Sequence, residues 1–218
     1  MGWSLPATVV LAGGKSKRMG KDKAFLTYCG RSFVEIVVEK ALKVSVKVVV
    51  CIGSKDRGMF EALLPRNVLV VNDRVNLGTP LSGVLTGFEV VDVDYAALVG
   101  CDMPLIREEV LTHLASLARG HSAAIPRWPS GEAEPLLAVY NVGETLDASR
   151  RAVSDGKLGL KHLFEYLADV LYVDVNSLKR FDARLESLKN INTPQDYQEL
   201  KLSEHSVCGR SGFPTETS

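Results

Sequence analysis

Five cations crowd nine positions near the start of the chain: Lys15, Lys17, Arg18, Lys21 and Lys23, directly after Gly13-Gly14 and an apolar run from Val9. Glycine lacks a Cβ and tolerates positive φ, so the backbone at Gly13-Gly14 can come close to a ligand. Oriented N–H groups followed by basic side chains are what a triphosphate needs, and the stretch reads as a phosphate cradle at the tip of a first strand. The commoner phosphate loops do not fit it. A P-loop requires G-x-x-x-x-G-K-[ST]; Lys15-Ser16 follows Gly14, but the position five before Gly14 is Val9. A dinucleotide fingerprint G-x-G-x-x-G fails as well, because the glycines are Gly13, Gly14 and Gly20.

Two acids stand where such a loop could use them. Asp102 follows an apolar run and precedes Met103-Pro104. At a strand's C-terminal edge it is either a ligand for Mg²⁺, which takes one or two carboxylates plus substrate phosphates, or a cap for the segment that follows. Asp73 is similar: it caps its own loop, or it accepts a hydrogen bond from a sugar hydroxyl or a base. Trp128 reads as a packed loop anchor, with stacking on a planar ligand as the other use of such a ring. The four histidines, His113, His121, His162 and His205, lack H-x-x-x-H or Cys/His spacing, which argues against zinc. No G-x-S-x-G elbow is present, so a serine nucleophile has no support.

These residues need a sheet to bring them together, and the pattern of elements supplies one. Apolar runs at Ala7–Leu11, Lys47–Ile52, Val68–Val71 and Tyr95–Val99 lack polar alternation, as strands buried on both faces do. Between them, helical spacing from Phe33 to Val44 behind a Ser32 cap, and further helices over Ser54–Leu64 and Leu81–Val91, complete a β-α-β-α-β order. Arg107–Arg119 is amphipathic, Ser122–Ile125 and Leu136–Tyr140 are further strands, and Glu144–Val153 and Leu160–Leu167 are helices before a strand at Val170–Val175. Thr193-Pro194-Gln195-Asp196 starts a last helix by rule, with Thr as N-cap, Pro at the first position and an acid at the third. The expectation is a single α/β domain over 1–203, a doubly wound, mostly parallel sheet, with 204–218 as a disordered tail.

Composition limits the function. Lys+Arg of 26 against Asp+Glu of 26 leaves no net charge, so no global field favours nucleic acid or an anionic membrane and any anion site is local. Hydrophobic content of 46% is enough for a substantial core, and the scattered cysteines show no C-x-x-C, which suits a reducing cytoplasm. No apolar run approaches the roughly 18 residues of a membrane span.

Joined together, the motifs resemble one family. The run Leu11-Ala-Gly-Gly-Lys-Ser-Lys-Arg-Met-Gly-Lys-Asp-Lys23 is similar to the L-A-G-G-x-S-x-R-M-G-x-D-K signature of the molybdenum cofactor guanylyltransferases, within the nucleotidyltransferase superfamily. Gly78-Thr-Pro-Leu-Ser-Gly83 resembles the family's G-P-L-x-G, Gly100-Cys-Asp-Met-Pro104 its C-D-x-P, Glu134-Pro-Leu136 its P-E-P-L and Asn190-Ile-Asn-Thr-Pro194 its N-x-N-T-P. All occur in family order between residues 11 and 194. Two places depart from the pattern: Cys51, where members often carry a polar residue able to contact guanine, and Leu158-Gly159, where many carry Arg-Ser.

The resemblance implies a Rossmann-like nucleotidyltransferase fold and transfer of GMP from GTP to the terminal phosphate of molybdopterin, with Mg²⁺ as cofactor and release of pyrophosphate. Leu11, Ala12, Gly13 and Gly14 would hold the nucleotide through backbone groups, Arg18 and Lys23 its phosphates, and Asp73 the GTP. Asp102 would bind Mg²⁺ with Asn192, while Gly83, Glu134, Pro135 and Asn190 fall on the substrate side. Implied partners are GTP, molybdopterin and, transiently, other cofactor-biosynthesis proteins or acceptor molybdoenzymes, with neither nucleic acid nor membrane. A relative using CTP or another phosphorylated acceptor, and a non-catalytic adaptor that carries molybdopterin, are the alternatives.

Overall fold

A computed structural model describes residues 5–14, 20 and 22–208. Its elements in chain order are β1 (Leu5–Leu11), β2 (Thr27–Tyr28), β3 (Arg31–Ser32), α1 (Phe33–Val44), β4 (Ser45–Cys51), α2 (Arg57–Glu61), β5 (Leu69–Val71), α3 (Leu81–Val90) and β6 (Tyr95–Gly100). Then follow α4 (Glu108–Ala118), β7 (Ala123–Arg127), β8 (Leu137–Asn141), α5 (Val142–Ser154), β9 (Val170–Asp174) and α6 (Pro194–Cys208). Seven strands form one sheet in the order β5-β4-β1-β6-β8-β7-β9. Only β8 runs against its neighbours; the other six point one way. The sheet is therefore mostly parallel, and β1 lies inside it, with Val9 paired to Val49 on one side and to Leu98 on the other.

The strands lack alternation because both faces of the sheet are covered. Val10, Val48, Val50, Ala97 and Val99 pack with Val34, Val37 and Ala41 of α1 and with Val110, Leu111 and Leu114 of α4. Their sequence neighbours Ala7, Val9, Val49, Ala96 and Leu98 point the other way, against Leu81, Val84 and Phe88 of α3 and Val142 and Ala148 of α5. This is the doubly wound arrangement expected. Ser32 caps α1 in a reciprocal box with Glu35. Lys40 of α1 runs over the core and donates to the carbonyls of Pro104 at 2.9 Å and Ile106 at 2.8 Å; burial lowers its pKa to about 8.

A third cluster closes the molecule at the site end. Leu26, Tyr28, Phe33 and Ile36 pack with Ile191 and Leu200, and the Tyr197 hydroxyl donates to Thr27 O at 3.0 Å. The small hairpin of β2 and β3 and helix α6 thus clasp each other across almost the full length of the chain.

Three expectations need correction. α2 covers Arg57–Glu61 instead of Ser54–Leu64, because the cap is Asp56, which accepts from Gly58 N and starts the helix late. The helix expected over Leu160–Leu167 is a shorter 3-10 helix, Leu160–Glu165. The tail placed at 204–218 begins too early, since α6 continues to Cys208; residues 209–218 lie outside those described. Among the described residues no helix is long and apolar enough to cross a membrane.

Helix α3 sits unusually close to the sheet. A Cβ at Gly87 would collide with Val9 Cγ1 and lie 2.9 Å from Cys51 Sγ, and one at Gly83 would lie 2.8 Å from Leu11 Cδ2. Exchange of a helical Gly for Ala gains about 1 kcal/mol in propensity. Overpacking against a stiff β-branched neighbour costs roughly 1–3 kcal/mol, and it wins at Gly87. Gly87→Ala is accordingly expected to lower the urea midpoint, whereas Gly143→Ala in α5, where a Cβ meets only Asn141 Oδ1 at 3.7 Å, leaves it unchanged or raises it.

Candidate active site

From β1 the chain passes to β4 on one side, and it later returns through β6 on the other. Such a reversal opens a crevice at the C-terminal ends of the strands. Here the tips are tied together: Ala12 N donates to Cys51 O at 2.8 Å and Cys101 N to Leu11 O at 3.0 Å. Gly13 lies so close to Gly53 that a Cβ on it would be 2.7 Å from Gly53 N, and Gly53 itself holds φ +65°. Two glycine backbones in contact form the floor of a cleft of about 610 Å³. Leu11, Ala12, Gly13, Gly14, Lys23, Asp73 and Asp102 all line it, together with Gly83.

The charged centre is built from three distant segments. Lys23 opens a short 3-10 turn, Lys23–Phe25, capped by Asp22, whose Oδ1 accepts from Ala24 N at 3.1 Å. Its ammonium donates to Asp102 Oδ2 at 3.0 Å and to Asn192 Oδ1. Asp102 therefore serves the lysine instead of capping the next segment. A Cβ at position 100 would stand 2.6 Å from Asp102 Oδ1, so Gly100 makes room for the carboxylate. Ile191 N donates to Asp102 O at 2.9 Å, which locks the Asn190–Asn192 segment beside it. Asp196 Oδ2 accepts from Asn192 N and Thr193 N, and Asp196 N donates to Thr193 Oγ1, the reciprocal cap foreseen for α6. With side chains 18% and 17% exposed, Lys23 and Asp102 remain open to a ligand while being partly shielded from water.

Asp73 lines the cleft beside Gly53. Burial raises its carboxyl pKa, and the hydrogen bond from Gly53 N at 3.2 Å opposes that rise. On the far side of the charged centre, Trp128 Nε1 donates to Glu134 Oε1 at 2.8 Å, so the ring anchors its loop. Burial raises the Glu134 carboxyl, against hydrogen bonds from Trp128 and Asn190 that lower it. Glu134, Pro135 and Asn190 border this centre but are not among the residues lining the cleft. The Pro135 carbonyl is taken by the buried Tyr140 hydroxyl at 2.9 Å. Gly83 acts by its missing side chain, letting α3 approach Leu11. Arg18 lies outside the described residues.

Chemically, the cleft offers close-approach backbone at Gly13 and Gly14, a positioned ammonium and the Asp102 carboxylate, and Asn192, which does not line it, holds the same ammonium through its Oδ1. Among the described residues no cluster of three or more His, Cys, Asp or Glu could hold a metal unaided. One carboxylate and one amide oxygen beside a lysine fit an Mg²⁺ ion whose other ligands are phosphates and water. Sequence reasoning missed Lys55 and Asp22, which also line the cleft. Lys55 was hidden inside an overlong helix; the N-cap at Asp56 is what leaves it in the loop.

The profile of the MobA-like NTP transferase domain matches residues 8–170. The probable molybdenum cofactor guanylyltransferase of Methanosarcina mazei is 30% identical over 205 residues, 90% of each chain. That of Methanothermobacter thermautotrophicus is 32% identical over 198 residues, 88% of this chain and 97% of its own. Among solved structures, molybdopterin-guanine dinucleotide biosynthesis protein A of Archaeoglobus fulgidus superposes with a TM-score of 0.76 at 28% identity, over 94% of this chain and 99% of that one. A cleft at the strand-order reversal, a lysine held between Asp102 and Asn192, and a match over most of the chain agree: this chain belongs to the MobA-like NTP transferase family.

Proposed function

We propose that the chain transfers GMP from GTP to the terminal phosphate of molybdopterin and releases pyrophosphate. The observation that carries this reading is that Lys23 and Asp102 line a cleft bordered by Gly13 and Gly53, with Asn192 holding the same ammonium. The names of the relatives in Methanosarcina and Methanothermobacter support the choice of GTP and of the molybdenum cofactor.

In this reaction an oxygen of the molybdopterin phosphate attacks the α-phosphorus of GTP, the bond from that phosphorus to the β-bridging oxygen breaks, and the two nucleoside-side and pterin-side phosphates become joined. Nucleophile and electrophile are both anionic, so the work of the protein is neutralisation and alignment. Leu11 to Gly14 admit the nucleotide against their backbone. Lys23, fixed by Asp102 and Asn192, turns an N–H toward charge that develops on the transferred group, and Arg18 adds a second cation. Asp102 and Asn192 would hold Mg²⁺, which when bound supplies further charge neutralisation at the phosphates. Asp73 offers an acceptor to the N–H edge of guanine or to a ribose hydroxyl. Glu134 and Asn190 shape the side from which molybdopterin enters.

Incubation with molybdopterin and equimolar GTP, CTP and ATP, followed by mass spectrometry, is expected to show a guanine dinucleotide with pyrophosphate; a cytosine product instead would overturn the base assignment. Asp102→Asn and Lys23→Ala are each expected to lower turnover by about 100-fold or more, the usual loss for one transition-state charge contact. Near-normal turnover in both variants would remove the proposed centre.

A further inference from the structure

Asp22 is a carboxylate in a cleft read as a phosphate site. It lines the cavity and directly precedes Lys23, where an unpaired negative charge would repel the ligand. The neutralising group comes from the loop after β4. Lys55 Nζ donates to Asp22 Oδ1 at 2.7 Å and also to the carbonyl of Ala12. One ammonium thus joins the residue that leaves β1 to the residue that introduces Lys23. The same Asp22 oxygen accepts from Ala24 N, so holding Asp22 also sets the turn on which Lys23 sits.

Lys55 is itself held from behind. Asn72 Nδ2 donates to Lys55 O at 2.9 Å and to Gly53 O at 3.1 Å, and Lys55 N donates to Ile52 O at 3.2 Å. Its ammonium lies 6.0 Å from the centre of the Phe60 ring. The pair is half-shielded, with Lys55 and Asp22 side chains 20% and 30% exposed. The connections run in series from the end of β5 through the loop after β4 to the end of β1 and its outgoing segment.

Resting on the nucleotide-transfer reading, we propose that Lys55 is a positioning residue: it neutralises Asp22 and pins it to Ala12, so that the Asp22 charge does not oppose the nucleotide that Lys23 meets. Lys55 acts through Asp22 and not by gripping a phosphate, and this difference has an experimental sign. Removing Lys55 exposes the Asp22 charge, and removing that charge as well undoes part of the damage. A direct phosphate contact would show no such relief.

The test uses the full chain, with GTP and Mg²⁺ titrated calorimetrically and steady-state kinetics run in parallel. Lys55→Met is expected to raise the GTP dissociation constant and KM about tenfold, with kcat reduced only a few-fold because Asp102 and Asn192 still hold Lys23. Lys55→Arg is expected to stay within about threefold of the parent, since the charge is kept. Adding Asp22→Asn to Lys55→Met is expected to recover most of the lost affinity, with thermal midpoints of all variants within a few degrees. Unchanged affinity in Lys55→Met, no relief from Asp22→Asn, or affinity losses that track a falling midpoint would each overturn the inference. Failure of the parent protein to bind GTP would instead overturn the functional reading on which it rests.

Discussion

Contact between two bare backbones, Gly13 against Gly53, governs the rest of the site. With any side chain at either position the ends of β1 and β4 would separate, and the hydrogen bond from Ala12 to Cys51 would be strained with them. Close approach here is what lets β1, β4 and β6 end together and leaves a floor without protruding side chains. Gly100 plays the matching part at β6, where the space of an absent Cβ is filled by the Asp102 carboxylate. The glycines thus act less as hinges than as clearances.

On that floor the charges are arranged by segments that share no sequence neighbourhood. Lys23 follows β1, Asp102 follows β6, and Asn192 precedes α6; each is oriented by a capping or turn interaction of its own. The reversed strand β8 adds a fourth route. Because it runs against β6, its beginning lies beside the end of β6, and Gly100 N donates to Leu136 O at 3.0 Å. A mostly parallel sheet brings only strand ends to its functional edge; one antiparallel strand brings the Glu134–Leu136 segment there as well.

Much of this was legible in the residues. Unalternating valine runs marked the strands, and a Thr-Pro-x-Asp cap marked the start of α6, because both depend on local chemistry that leaves a direct trace. Gly13-Gly14, Lys23, Asp73 and Asp102 could be placed at one edge since doubly wound sheets collect their ligand residues there. What escaped was of another kind. The orientation of β8 depends on its partners, not on its own composition. The hairpin at Thr27–Ser32 is two residues per strand, too short for any period to register. Lys55 and Asp22 were passed over because an ion pair across 33 positions leaves no spacing signature. Glu134 and Pro135 were grouped together by motif, yet the structure divides them: one carboxylate faces Trp128 and Asn190, and one carbonyl is used up inside the fold.

The clasp between the hairpin and α6 has a consequence for when the protein becomes competent. Asn192 meets Lys23 across 169 positions of sequence, and it is held there by a helix that ends at Cys208. While the chain is being synthesised, the glycine floor, Lys23 and Asp102 are all made long before this last segment emerges. The lysine is therefore seated only after the Asn190–Asn192 segment has been made, and chains that stop short of it lack the full constellation that would act on nucleotide.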